Sequence, residues 1–162
     1  MLGIVYSINA FLPLLRLGRT KKIVAISTTG GDPEFVLNTH LSAMAAYGTT
    51  RAGSNMVIAK YAKLLEGEGF VVVGVSPGIV DTSATSATPG NETNPRSSLW
   101  VKSDVRFKGE LDEGFKNAIA GLSTLIPGFK PLTAQQSVEK LIPLFEGVGP
   151  EGSGRLHSLP LA

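Results

Sequence analysis

The chain has 162 residues, of which 43% are hydrophobic and 17% charged, and its formal net charge is +2. This composition is typical of a globular chain that is long enough to bury one core, and it excludes a disordered chain. The basic residues are scattered and cysteine is absent. We therefore expect a cytoplasmic protein without disulfides or thiolate chemistry and with no affinity for nucleic acid.

The first fifteen residues, MLGIVYSINAFLPLL, are apolar. No basic region precedes them and they are too short to span a bilayer, so we expect no membrane segment. Ile4, Ile8, Phe11 and Leu15 recur with helical spacing, which predicts a buried helix. Pro13 is expected to bend this helix or disturb its last turns.

Two elements are predicted next. Residues 22–27, KIVAIS, are rich in β-branched side chains and stop before a Gly-Gly pair, which predicts a strand. Residues 31–41 are expected to form a loop. Residues 42–66 predict a helix with only a narrow polar stripe, and such a helix usually packs against the core on one side and another chain on the other.

The second half begins with FVVVGVS, residues 70–76, a run typical of a parallel strand that is buried on both faces. The Pro-, Ser- and Thr-rich residues that follow predict a loop, and residues 83–131 are interpreted as one insertion with short helices around 111–119. Thr133 is the expected N-cap of an amphipathic helix, and residues 154–162 could add a strand. Four apolar side chains of that helix are expected to face inward: Val138, Leu141, Leu144 and Phe145.

The order of these elements predicts the fold class. Helix, strand, helix, strand, loop, helix and strand make an α/β architecture with about three parallel strands and flanking helices. No repeat or second core is visible, so residues 1–162 are interpreted as a single domain.

A tyrosine and a cation occupy the start of the long helix, in the stretch AAYGTTRAGSNMVIAKYA. Arg51 follows Tyr47 by four residues and therefore lies one helical turn away. A neighbouring cation favours the phenolate and lowers the pKa of a phenol, which makes tyrosine a usable general acid. On its spacing alone, the pair is better explained as an ordinary product of composition.

Four motifs in sequence order carry a resemblance to a known family. AFLPLL, KIVAIST, the tyrosine-bearing helix and VSPGIVDT resemble the matching segments of short-chain dehydrogenases/reductases, closest to the carbonyl-reductase or sniffer-like branch. The resemblance covers almost the whole chain except the loop after Thr82. It implies the C-terminal part of a Rossmann-type, doubly wound sheet, with the family's cofactor-binding half and its glycine-rich turn preceding Met1.

The resemblance also implies three catalytic residues. Tyr47 takes the position of the family's acid, and Arg51 takes the position of a lysine that also holds the nicotinamide ribose. Arginine keeps the charge, although it is longer and planar. Thr28 takes the position of a serine that binds the substrate oxygen, and the alternative role for Thr28 is a cap at the end of its strand.

The family's contacts to NADP or NAD fall on the turn after the second strand. By resemblance, Arg51 and four residues of this turn bind the cofactor: Pro77, Gly78, Val80 and Thr82. The alternative is a plain strand-ending turn. The implied reaction is carbonyl reduction or alcohol oxidation on a small organic substrate. No metal is expected, because the two histidines, His40 and His157, have no partners at ligand spacing.

The resemblance also implies a partner for the chain. The family's subunits meet through the tyrosine-bearing helix and the helix before it, which implies a homo-oligomer through residues 1–15 and 42–65. A different class of function is a non-redox remnant of the family, acting as a dimerising or binding module or as a cofactor-free proton-transfer enzyme.

Overall fold

The structure is a computed structural model that describes residues 2–39, 44–81 and 119–159. Residues 119–125 are helical, and 3₁₀ turns occupy Thr29–Gly31, Glu66–Glu68 and Pro150–Gly152. The remaining regular elements, in chain order, are α1 (Leu2–Leu17), β1 (Lys22–Ile26), α2 (Pro33–Thr39), α3 (Ala45–Leu65), β2 (Val71–Ser76), β3 (Val80–Asp81), β4 (Leu132–Thr133), α4 (Ala134–Gly147) and β5 (Leu156–Ser158).

A parallel three-stranded sheet is the centre of the fold. Its order is β1-β2-β5, and Val75 of β2 pairs with Ile26 on one side and with His157 on the other. Every residue of β2 is buried. The prediction of an α/β fold with about three parallel strands is confirmed, and β2 is the doubly buried strand that its apolar run indicates.

Helices cover the two faces of this sheet. On one face, Leu12 of α1 and Ile58 and Leu65 of α3 form a cluster with Val72. On the other face, Leu141 of α4 packs with Val71, Val73 and Val75. A smaller parallel pair of two-residue strands, β3 and β4, joins the turn after β2 to the start of α4, and the sequence did not predict it.

Helix α1 runs from Leu2 to Leu17 without interruption at Pro13, so the predicted disturbance of its last turns is wrong. Two polar contacts fix it in place. The Tyr61 hydroxyl donates to Asn9 Oδ1 at 2.7 Å, and the Arg16 guanidinium makes two hydrogen bonds to the Glu68 carboxylate, both 2.7 Å long. Helix α1 is thus tied to α3 and to the turn after α3.

Two local predictions are wrong. Residues 33–39 form helix α2 instead of a loop, with Pro33 at its first position, where a proline costs no hydrogen bond. Val138 of α4 is 52% exposed, because Ser137 takes the inward position and donates from its hydroxyl to the Pro77 carbonyl at 2.8 Å. Leu141 is buried as predicted, and Leu144 and Phe145 pack against the same cluster.

Within the three described stretches of chain, no helix combines the length and the apolar character that crossing a membrane requires.

Candidate functional site

A cavity of about 240 Å³ opens where the strands of the central sheet end. Parallel sheets bind ligands at the carboxyl ends of their strands, so the position of this cavity is that of a ligand site. Its walls come from the residues that follow β1 and β2, from α2 and from the end of β5. The lining residues are Thr28, Thr29, Phe35, Ser76, Gly78, Ile79, Ser158 and Leu159.

Thr28 lies in this cavity and also caps a turn. Its Oγ1 accepts a hydrogen bond from the Gly30 backbone N–H at 3.2 Å, at the start of the 3₁₀ turn Thr29–Gly31. The alternative role, a cap at the end of its strand, is therefore present. Accepting this bond uses one lone pair of the oxygen and leaves the hydroxyl proton free to be donated.

The Pro77-Gly78 turn forms another wall of the cavity. Gly78 has φ of +78°, a left-handed conformation that glycine adopts without strain. The turn is held on both sides, because the Pro77 carbonyl accepts from the Ser137 hydroxyl and the Ile79 carbonyl accepts from the Leu132 N–H at 2.8 Å. Helix α4 and strand β4 thus fix the turn that the family resemblance assigns to the cofactor.

Tyr47 and Arg51 lie on the first two turns of α3. The Arg51 Cζ is 4.9 Å from the centroid of the Tyr47 ring, so the guanidinium stacks over the aromatic face. Tyr47 is 41% exposed, and its hydroxyl has no hydrogen-bond partner among the described residues. Arg51 also lines a groove between α1 and β1 that is separate from the carboxyl-end cavity.

Two glycines let the turn after β1 press against α3. A Cβ on Gly31 would lie 2.6 Å from the backbone of Arg51 and Ala52, and a Cβ on Gly48 would lie 2.9 Å from the Gly30 carbonyl oxygen. A residue with a Cβ could not come this close to the neighbouring backbone, so both positions require glycine. The turn that begins at Thr28 is therefore seated directly on the helix segment that carries Tyr47 and Arg51.

A buried polar contact adds a second link between the same elements. The Ser27 hydroxyl, which is buried, donates to Asn55 Oδ1 at 2.5 Å, while the Ser27 N–H donates to the Val75 carbonyl at 2.8 Å. Ser27 thus ties the end of β1 to both α3 and β2. Because Thr28 follows Ser27 in the chain, this contact also fixes the position of Thr28 relative to α3.

The predicted site residues therefore fall into two adjoining groups. Thr28 and Gly78 meet in the carboxyl-end cavity, and Pro77 is next to Gly78 in the chain. Tyr47 and Arg51 stack on each other at the start of α3 and do not line that cavity. Val80 belongs to β3, and Thr82 lies outside the described residues.

Some residues at the site were not predicted. Ser76 and Ser158 line the cavity, and each is the last residue of its strand. That position was the available signal, because every strand of a parallel sheet ends at the ligand-binding edge. Asn55 gave no such signal, since a polar residue on a helix does not reveal that it contacts a strand end.

No protein-family model matches the chain, but individual proteins do. It is 31% identical over 156 residues to the short-chain dehydrogenase/reductase AacuF of Aspergillus aculeatus, covering 95% of this chain and 51% of that protein. It is 45% identical over 85 residues to the short-chain dehydrogenase/reductase atnB of an Arthrinium species, covering 52% of this chain and 32% of that protein.

A solved structure has the same fold. It is the NADPH-bound short-chain oxidoreductase of Pseudomonas aeruginosa PAO1, described as containing an atypical catalytic centre. The TM-score is 0.56 at 16% identity, and the match covers 96% of this chain and 51% of that one. The chain spans about half the length of the curated relatives that it matches along most of its own length. The solved structure shows the same fold, and the named relatives show that the chain belongs to the short-chain dehydrogenase/reductase family.

Proposed function

We propose that these residues supply the proton donor and the nicotinamide-facing wall of an NAD(P)-dependent oxidoreductase, which interconverts small carbonyl compounds and alcohols. The observation that carries the proposal is the seating of the Thr28 turn on the Tyr47–Arg51 segment through Gly31. This contact keeps a hydroxyl donor, a phenol and a cation on neighbouring elements at the ligand-binding edge of the sheet.

The relatives support the same class of reaction. AacuF and the virK protein of Hypocrea virens are named as short-chain dehydrogenases, and the virK match covers 93% of this chain. The structural neighbour from Pseudomonas aeruginosa binds NADPH.

The cavity fits one end of such a cofactor. At about 240 Å³ it is smaller than the roughly 300–1,000 Å³ typical of pockets for drug-sized ligands, so it can take a single ring but not a dinucleotide. Gly78 and Ile79, on the turn after β2, would face the nicotinamide ring. We assign Pro77, Val80 and Thr82 to the same end, and Arg51 to the ribose.

The chain's own residues would then handle the proton. In the reduction direction, Tyr47 donates its hydroxyl proton to the carbonyl oxygen of the substrate, and Thr28 donates a hydrogen bond to that oxygen. Arg51, already against the Tyr47 ring, stabilises the phenolate that remains. A reduced nicotinamide held by Arg51 and the Pro77-Gly78 turn would supply the hydride for the carbonyl carbon, which would balance the two-electron reduction.

We also propose that a second copy of the chain is a partner. Helix α1 exposes Leu2, Tyr6, Leu14 and Leu17 away from the core, and α3 exposes Met56 and Leu64. An unpartnered apolar surface of this kind is typical of a subunit interface. The helices concerned are those of residues 1–15 and 42–65.

The test is a chimera in which this chain replaces the matched segment of AacuF, assayed for oxidation of NADPH and NADH with a panel of small aldehydes and ketones. We expect Tyr47→Phe to lower kcat/KM by about 10²–10⁴-fold, because it removes only the proton donor. Tyr6→Phe, on the exposed side of α1, is the matched control and should leave the rate unchanged. A folded chimera that is inactive, or one in which Tyr47→Phe has no effect, contradicts the proposal.

A further inference from the structure

Serine side chains form a row across the carboxyl ends of the central sheet. Ser76 of β2 pairs with Ser158 of β5, and on its other side it lies next to Ser27, one position beyond the last pair of β1 and β2. Side chains that are in register on neighbouring parallel strands point to the same face of the sheet. This face is the one that α3 covers, because the Ser27 hydroxyl bonds to Asn55 of that helix.

The hydroxyls of this row differ in whether they have a partner. Ser27 is satisfied by Asn55, whereas the hydroxyls of Ser76 and Ser158 have no hydrogen-bond partner among the described residues. Ser76 is nevertheless only 3% exposed, and buried polar side chains in proteins almost always have a partner. Its oxygen is not sealed in the core, since every fully enclosed polar side-chain atom of the described residues is paired. Both serines line the carboxyl-end cavity, so the available partner is a molecule inside that cavity.

The other walls of the cavity indicate the chemistry of such a molecule. None of the lining side chains carries a charge, and Phe35, Ile79 and Leu159 supply apolar surface. A carboxylate or a phosphate would be buried there without a counter-charge, which costs far more than the burial of a neutral group. The cavity therefore suits a small neutral molecule that has an oxygen for the two serines.

The position of the serine pair, Ser76 and Ser158, relates it to the proposed reaction. Neighbouring strands lie about 4.8 Å apart, so Thr28, just after β1, is about one strand spacing from Ser76 and about two from Ser158 across the sheet. Thr28 is the proposed donor to the reacting carbonyl oxygen. Gly78 and Ile79, which would face the nicotinamide ring, belong to the turn that leaves β2, whereas the serine pair belongs to the strand ends. The serine pair is thus distinct from the cofactor wall and close enough to Thr28 to bind a second group of the same substrate.

We propose that the serine pair binds a second neutral oxygen of the substrate, a hydroxyl or a keto group that lies about 5–10 Å from the reacting carbonyl oxygen. The substrate class is then a small hydroxyketone, hydroxyaldehyde or diketone rather than a simple ketone. The serines select this substrate and take no part in the chemical step. The proposal rests on the proposed function for the reacting end of the substrate, whereas binding at the serine pair can be measured without catalysis.

The first measurement is binding to the 162-residue chain, followed through amide chemical shifts in NMR spectra. The probe is 5-hydroxypentan-2-one, and hexan-2-one is its matched partner, because a methyl group replaces the hydroxyl. We expect the hydroxyketone to shift the amides of Ser76 and Ser158 and to bind about 5-fold or more tightly than hexan-2-one. Equal affinities, or shifts that bypass both serines, would overturn the proposal.

Alanine variants locate the contact. Ser76→Ala and Ser158→Ala should each weaken binding of the hydroxyketone by about 3–10-fold and leave binding of hexan-2-one within about twofold. Ser158 is exposed, so its variant decides the question even if Ser76→Ala fails to fold. Ser123→Ala is the matched control, since the Ser123 hydroxyl donates to the Ile119 carbonyl of its own helix at 2.8 Å. Preference for the hydroxyketone that survives in both alanine variants would contradict the assignment.

The second measurement separates this proposal from the proposed reaction and uses the AacuF chimera. Ser76→Ala should raise KM for 5-hydroxypentan-2-one by about 3–10-fold with little change in kcat, because the contact is the same before and during the chemical step. Tyr47→Phe should instead slow the reduction of both ketones. A chimera that binds the hydroxyketone through the serine pair but reduces neither ketone would refute the reaction and support the binding site. An unchanged KM in an active Ser76→Ala chimera would overturn the proposal.

Discussion

At the scale of single residues, the candidate site depends on how closely backbones approach each other. Gly31 has Arg51 and Ala52 against it, and the missing Cβ is what allows the Thr28 turn to rest on α3. The sequence shows only a Gly-Gly pair after a strand. Its role as a contact with a helix twenty residues further on is visible only in three dimensions.

Gly31→Ala should therefore separate the turn from the helix. The new Cβ would lie 2.6 Å from backbone atoms that cannot rotate away, and we expect a loss of about 1–3 kcal/mol in the free energy of unfolding. Urea denaturation measures this loss. Gly30→Ala is the matched control, because its nearest neighbour outside the adjacent residues is Thr28 Oγ1 at 3.6 Å. Equal stability of the two variants would contradict the close seating.

A second prediction at this scale concerns pH. The hydrogen bonds from Arg16 hold the pKa of the Glu68 carboxyl below its usual value of 4.5, with a smaller contribution from charge attraction. A depressed folded pKa contributes stability that is fully present above the unfolded value and is lost as the pH falls through the folded pKa. The pair therefore stabilises the attachment of α1 at neutral pH and loses this effect in acid.

Glu68→Gln should remove this dependence. Between about pH 6 and about pH 3, the melting temperature of the wild type should fall more steeply than that of the variant. The difference is expected to be small, because an exposed ion pair is screened by solvent. Glu66→Gln, which alters the exposed pair with Lys63, serves as the control. Parallel pH profiles for the wild type and Glu68→Gln would contradict the prediction.

At the scale of elements, some signals in the sequence are sufficient and others are not. Strand β2 follows from a continuous β-branched run, and α4 from Thr133, whose capping box with Gln136 is present. The sequence does not predict helix α2, although Asp32-Pro33 is a starting signal, because seven residues are too few for a helical period to be recognised. Hydrophobic periodicity predicts that Val138 faces inward, because it takes no account of hydrogen bonds. In the structure, the hydrogen bond from Ser137 to the Pro77 carbonyl turns Ser137 inward instead.

The exposed sides of α1 and α3 yield a prediction about assembly. We expect light scattering at micromolar concentration to give a dimer or larger species for the wild-type chain. Leu14→Glu and Met56→Glu should each shift it toward monomer, because both side chains are exposed on those helices. Ile142→Glu, on the exposed side of α4, should not. A wild-type chain that is already monomeric would refute the proposed interface.

At the scale of the whole molecule, the fold class follows from the sequence, but the division of the site does not. The motifs place Tyr47, Arg51, Thr28 and the Pro77-Gly78 turn at one edge of the sheet. They cannot show that Arg51 stacks on the Tyr47 ring and also lines the α1–β1 groove. The conformation of a long side chain depends on neighbours in three dimensions, which sequence spacing does not reveal.

The size of the carboxyl-end cavity leads to a prediction about cofactor binding. A cavity of about 240 Å³ seats a ring, so the 162-residue chain by itself should bind both NADPH and NADH more weakly than about 10 μM. Isothermal titration measures both affinities. Tight binding of either dinucleotide would mean that the chain holds a seat for the pyrophosphate as well.

The central position of β2 has a further consequence, for the time course of folding. Its two neighbours come from widely separated parts of the chain, because β1 precedes α3 and β5 lies near residue 157. The contact between the Lys22 ammonium and the Phe145 carbonyl of α4 likewise joins residues that are 123 positions apart. Bringing such distant segments together costs chain entropy, and this cost is offset only after the strands have paired. Sheets of this kind therefore form late in folding. Helix α3 is built from local contacts and can form early, whereas both hydrogen-bonding edges of β2 stay unpaired until β1 and β5 arrive. Refolding yield should therefore fall as protein concentration rises, because unpaired strands from different molecules meet before the slow closure is complete.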